Sequence, residues 1–138
     1  MLRFSVFKVQ VSHLNLEYLP PIAEDDKGFR DALLDIKKSG QRRRIPISRF
    51  GEVVGECHHF RALVKARFKV VEVIRLNEAS RKSEIDKAIK VSAKVPISTH
   101  SDVGEVKDAL MMLKLGIDPP AAAYVYLKPF IEYLRYAT

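Results

Sequence analysis

Apolar and polar residues alternate at the start of the chain. Phe4, Val6, Lys8 and Gln10 fall on one face of an extended segment, and Ser5, Phe7, Val9 and Val11 on the other, which predicts a strand over residues 1 to about 12. Leu19-Pro20-Pro21 then breaks regular structure, because proline has no amide proton to donate. The period changes after it. Phe29, Ala32, Leu33 and Ile36 recur at helical spacing, with Asp25 or Asp26 ahead of them as an N-cap and Ser39-Gly40 behind them as a stop. This predicts a helix from about Phe29 to Lys38. Ile45–Phe50 and Glu52–Gly55, on either side of Gly51, predict two short strands joined by a tight turn. A helix from about His58 to Arg67 follows, and then a β-branched run, Lys69–Leu76, that predicts a third strand.

Beyond this point the pattern stays helical. Ile85, Ala88, Ile89 and Ser92 share one face of a helix over Ser83–Ala93, and Pro96 interrupts. Ser101-Asp102 caps another helix, which carries Val103, Val106, Leu110 and Leu113 and stops at Gly116. Asp118-Pro119-Pro120 opens a last helix to about Arg135, kinked or split at Pro129. The apolar band Met111, Met112, Leu113 and Leu115 and the tyrosines 124, 126, 133 and 136 suit core packing or a homodimer contact through this tail. The layout is a mixed α/β (α+β) body over residues 1–78 and a helical C-terminal extension over residues 79–138, packed as part of one domain.

Composition narrows the function classes. The 138 residues suit one domain, and 47% hydrophobic content supports a core without covalent cross-links. Cys57 is the single cysteine, which excludes an internal disulfide framework and suggests a reducing, cytoplasmic setting. No run approaches the roughly 20 apolar residues of a membrane span, and the first residues lack a signal-peptide pattern. A net charge of +7 fits a polyanionic partner, either DNA or a nucleotide phosphate, and fits equally a basic surface that serves solubility alone.

The chemistry concentrates in Glu52-Val53-Val54-Gly55-Glu56-Cys57-His58-His59-Phe60-Arg61-Ala62-Leu63, which runs strand, polar cluster, helix. A helix start presents unpaired amides and the positive end of the helix dipole, and so suits an anion. His58, His59 and Arg61 add side-chain donors there. Gln41-Arg42-Arg43-Arg44, next to this segment, suits a phosphate tail or a nucleic-acid backbone, and Lys38 at the end of the first helix is a further candidate. A zinc site is disfavoured, because Cys57, His58 and His59 are consecutive whereas zinc ligand pairs are spaced by two to four residues.

The segment resembles the ParB/sulfiredoxin-like superfamily. Cys57-His58-His59-Phe60-Arg61-Ala62 aligns with the E-R-R-x-R-A part of the ParB motif G-E-R-R-x-R-A. It also aligns with the C-H-R-Y-x-A part of the sulfiredoxin motif G-G-C-H-R-Y-x-A, and the paired histidines are similar to the D-G-H-H-R of free serine kinases. The flanking order of elements agrees over residues 4 to 78. The resemblance implies a small mixed sheet with packed helices. It also implies ATP or ADP, with Mg2+, bound by its phosphates at the start of the second helix through Cys57, His58, His59 and Arg61.

Glu56, Cys57 and His59 become the candidate catalytic residues: Glu56 to hold magnesium or position water, Cys57 in the place of the sulfiredoxin nucleophile. The leading expectation is an ATP phosphohydrolase or phosphotransferase acting with or on DNA, with nuclease activity as one variant. The alternatives are a non-enzymatic ParB-like DNA-binding or partition protein with a nucleotide switch, and a sulfiredoxin-type reductase using Cys57. Two departures bear on these choices. Lys90-Val91-Ser92-Ala93-Lys94 lacks the asparagine and glutamine of the E-N-x-Q-R motif of CTP-binding ParB proteins, and Glu56 stands where sulfiredoxins have their second glycine.

Overall fold

A computed structural model describes residues 4–17, 19–76, 82–97 and 102–118. The elements in chain order are β1 (Phe4–Gln10), a 3-10 turn (Val11–His13), α1 (Lys27–Ser39), β2 (Ile45–Ile47), α2 (Cys57–Lys65), β3 (Val70–Leu76), α3 (Lys82–Lys94), α4 (Asp102–Lys114) and β4 (Ile117–Asp118). The strands form one four-stranded mixed sheet in the order β2-β3-β1-β4. β1 and β3 run antiparallel, from Phe4 opposite Leu76 to Gln10 opposite Val70. β2 pairs with β3, and β4 with β1, in parallel.

The alternation read from β1 divides two cores. Val71 and Val73 lie in one cluster with Phe29, Ile36, Phe60 and Leu63 of α1 and α2, and Phe7 and Val9 pack against it. Phe4, Val6 and Ile74 lie in the other with Val95, Met112 and Ile117. Because successive strand residues point to opposite faces, the sheet is covered by α1 and α2 on one side and by the α3–α4 region on the other. This mixed α+β architecture agrees with the fold class expected from the sequence.

Local signals explain most boundaries. The Asp26 side chain caps α1 by accepting the Phe29 amide at 3.0 Å. Gly40, at φ 75°, ends the helix, with its amide donating to the Ile36 carbonyl. α2 stops at Lys65, two residues before the expected end, where Arg67 turns left-handed and its amide bonds Val64. The second short strand expected at Glu52–Gly55 is instead two isolated bridges, Asn15 with Glu52 and Ile47 with Val53. Ser48 holds that turn, its hydroxyl oxygen accepting the Phe50 and Glu52 amides.

β4 was not expected. Asp118, read as the start of a last helix, sits in it beside Ser5. The rest of that helix, with Pro129 and the tyrosines 124 to 136, lies outside the described residues, as does the Ser101 cap. No helix among the described residues is long and apolar enough to cross a membrane.

Candidate anion site at the start of the second helix

α2 begins abruptly. Glu56, the residue before it, is held at φ 53°, ψ 43° and gives no side-chain cap. A non-glycine residue in this region carries a cost of about 1–2 kcal/mol, and it occupies the place of the second glycine in the sulfiredoxin pattern. The physical reason for a glycine there is now visible: the chain must pass through the left-handed region to enter α2. Gly55 answers a different demand. A Cβ on it would lie 2.7 Å from Ile89 Cγ1 and 2.9 Å from Pro46 Cγ, so α3 rests directly on the loop that leads into α2.

The Phe60 amide donates to the Glu56 carbonyl. Among the described residues, the amides of Cys57, His58 and His59 meet no carbonyl or carboxylate acceptor. Those of His58 and His59 are the open donors that the sequence pattern anticipates at a helix start, while the Cys57 amide leans on its own sulfur.

The side chains around them divide into three groups. Arg43 reaches the site from the basic loop, and its guanidinium meets Glu56 Oε1 at 3.4 Å. Arg61 lies one turn along α2 from Cys57, close enough for its charge to favour the thiolate. Its Nη2 meets the Pro20 carbonyl at 3.4 Å, while its Nε is buried without a partner among the described residues. His58 points the other way, toward α1, where its Nε2 is 2.9 Å from Asp26 Oδ1. That carboxyl is held below its usual range first by the Phe29 amide, and His58 lowers it further. α1 and α2 meet closely here, since a Cβ on Gly28 would stand 2.9 Å from the His58 ring.

His59 has a role the sequence did not suggest. It is buried, 7% exposed, and its Nε2 accepts the amides of Arg42 at 3.4 Å and Arg43 at 3.3 Å. Burial, and secondarily the Arg43 charge, push its pKa down to about 4, against the opposing pull of Asp35. At neutral pH it is therefore an uncharged acceptor that fixes the basic loop, and its Nε2 lone pair is turned to that loop's backbone. Cys57 packs against the α1–α2 core, and burial pushes its thiol pKa up, more than its own amide and Arg61 pull it down. A thiol so placed is a poor nucleophile at neutral pH.

The basic run does not act as a unit. Arg42 is exposed and turns back to Asp35 at 3.6 Å and Ser39 Oγ at 3.0 Å. Arg43 faces Glu56. Arg44 is 5% exposed, with Nη1 donating to the Val95 carbonyl at 3.2 Å and Nε unpartnered among the described residues. Burial lowers its pKa, opposed by Glu72 and Asp108. The structure thus places Arg44 in the interior, away from any phosphate tail on the surface. Lys38 is exposed in the last turn of α1.

Gln41, read from the sequence only as the start of the basic run, is the loop's main anchor. Its side chain accepts the Glu72 amide and donates to the carbonyls of Glu72 and Arg43, each at 2.8 Å. A side-chain amide thereby completes the edge of β3 where β2 has not yet begun. An open hollow of about 530 Å3, lined by Gln10–Ser12 and Phe68–Val70, lies beyond the C-terminal end of α2 and shares none of the site residues.

No protein-family model matches the chain, and no curated protein matches it. By structure it is similar to a Pnob8-like ParB-N domain, with a TM-score of 0.52 and 17% sequence identity. The likeness covers 64% of this chain and 35% of that one, so the matched part spans about a third of the neighbour's length. It defines the class of the molecule as a ParB-N-like fold: a small mixed sheet carrying helices on both faces.

Proposed function

We propose that the chain binds a nucleotide by its phosphates at the start of α2. The observation that carries this is the run of uncapped amides at Cys57, His58 and His59, entered through the left-handed Glu56 and flanked by Arg43 and Arg61. Amides and guanidinium groups offer directed donors, and phosphate oxygens are the acceptors that fit them. The ParB-N-like fold supports the reading, as does the sequence motif at this junction. His59 contributes by fixing the loop that presents Arg43, and His58 by orienting the junction with α1.

The geometry favours binding over covalent chemistry. The Cys57 thiol is held protonated, which speaks against the reductase reading. Hydrolysis of the bound nucleotide has one candidate residue at the site, Glu56, whose carboxylate would orient water once released from Arg43. No group of three or more His, Cys, Asp or Glu residues among the described ones is arranged to hold a metal. A magnesium ion would therefore arrive on the nucleotide, coordinated mainly by its phosphates and water. DNA is the macromolecular partner that the +7 charge favours.

The test is calorimetric titration with ATP, ADP, CTP and inorganic phosphate, with and without magnesium. Arg43→Ala and Arg61→Ala are each expected to weaken nucleotide binding by about 1.5–3 kcal/mol, as for one charged hydrogen bond. Nucleotide affinity unchanged in both folded variants, or absent in the wild type at millimolar ligand, would overturn the proposal.

A further inference from the structure

We infer that the outer face of α3, continued by Arg42 and Arg43, is a contact surface for the sugar-phosphate backbone of duplex DNA. This rests on the DNA reading above and assigns it a place; it shares Arg43 with the phosphate site but requires no bound nucleotide. Lys87, Lys90 and Lys94 stand three, four and seven residues apart. At 100° and 1.5 Å per residue they fall within an arc of roughly 60° and along roughly 10 Å of helix. All are exposed. Among the described residues none of them has a carboxylate within ion-pair distance, although Asp86 is exposed one turn before Lys90.

The opposite face of the helix is committed to packing. Ile89 rests on Gly55 and Ser92 is buried. Val91, about 40° around the helix from Lys87, packs against the core formed by Phe4, Val6 and Ile74 and marks one edge of the lysine stripe. The lysines themselves lie on the exposed side. Mutual stabilisation does not account for the stripe, since Lys87–Lys90 and Lys90–Lys94 are like charges at i,i+3 and i,i+4, which repel, and Asp86, four residues before Lys90, offsets only part of this. The helix dipole explains only Lys94, which lies in the last turn.

What turns the stripe into a track is its join to the basic loop. Just past the end of α3, the Ile97 amide donates to the Arg42 carbonyl at 2.7 Å, and the Arg44 guanidinium donates to the Val95 carbonyl at 3.2 Å. Arg44 is buried for this purpose. It pins the C-terminal end of α3 beside the loop that carries Arg42 and Arg43, so that the two sets of exposed cations form one surface. A DNA duplex presents a phosphate charge about every 1.7 Å of its axis, and such a surface matches it without reading bases.

The experiment is fluorescence anisotropy of the full chain, without nucleotide, on a labelled duplex of about 25 base pairs across a salt series. The variant is the triple Lys87→Gln, Lys90→Gln, Lys94→Gln. A charge-matched control replaces Lys8, Lys65 and Lys69 with Gln. The α3 variant is expected to bind at least tenfold more weakly near 100 mM salt. Its slope of log K against log salt should be shallower by roughly 2 to 3, the value for three lost phosphate contacts. The control should keep most of the slope, and ATP affinity should be unchanged in both.

If the wild type does not bind DNA, the DNA reading itself falls. If it binds and both triples weaken equally, the effect is net charge and the assigned surface is wrong. Loss of ATP affinity in the α3 triple, or preference for anionic vesicles over DNA, also overturns the assignment.

Discussion

Acid should unfold this protein partly through a single histidine. His59 accepts two loop amides at Nε2 and is 7% exposed, so the folded state needs its imidazole neutral. Its pKa falls from 6.5 to about 4 on folding, chiefly through burial. A depressed folded pKa means that the unfolded chain takes up a proton the folded chain refuses. His59 therefore costs nothing above pH 6.5, removes stability progressively as the pH falls from 6.5 toward 4, and adds no further loss below that.

With about 1.4 kcal/mol per pKa unit, the loss is about 1.5 kcal/mol near pH 5.5, about 2.5 near pH 4.5 and about 3.5 in all. His59→Gln supplies a neutral side-chain oxygen to accept the same amides without titrating. Urea unfolding of wild type and His59→Gln, side by side from pH 7.5 to 4.5, isolates the histidine, because the carboxylates common to both cancel in the difference. The stability gap should shift in favour of the variant by these amounts as the pH falls. A gap that stays constant across the range would refute the assignment of His59 as a neutral loop anchor.

Gly55→Ala should destabilise by about 1–3 kcal/mol through overpacking against Ile89 and the rigid Pro46 ring. Adding Ile89→Ala should recover part of that loss, and urea midpoints that are additive within about 0.3 kcal/mol would show that the two residues do not meet. Glu56→Gln frees Arg43 from its carboxylate and should raise phosphate affinity by up to about fivefold, the value of a pair worth at most about 1 kcal/mol; calorimetry with inorganic phosphate measures it, and a weaker affinity would place the carboxylate among the ligand's partners. Cys57→Ser should leave nucleotide binding and any phosphate release within about fivefold, since a single neutral hydrogen bond is worth only about 1 kcal/mol. Complete loss of phosphate release in a folded variant would restore the thiol as nucleophile.

The parts of the fold that follow a single repeat were legible in the sequence. Phe4, Val6, Phe7 and Val9 divide between two cores as their alternation requires, and Phe29 and Ile36 bury the face that their spacing marks. β4 was not legible, because two residues carry no period and Ile117 pairs with Phe4 only through the tertiary fold. At the site, the motif located the start of α2 to within a residue, but the side chains' directions were not available from it. His58 and His59 look alike in sequence, yet one is exposed on Asp26 and the other is buried under the basic loop. Arg42, Arg43 and Arg44 likewise look alike, and Arg44 goes inward because Val95, from a segment 51 residues away, supplies its acceptor. The anchoring role of Gln41 gave no signal, since it lies in matching the free edge of Glu72.

The most direct test of the phosphate reading follows the backbone amides themselves. In 15N-labelled protein titrated with ATP and magnesium, the amide resonances of Cys57, His58 and His59 should move most. The Arg43 and Arg61 guanidinium signals should follow, with saturation, and Arg43→Ala should reduce the affinity that these shifts report. Shifts confined to the hollow at Gln10–Ser12 and Phe68–Val70, or no shifts at millimolar ATP, would contradict the account.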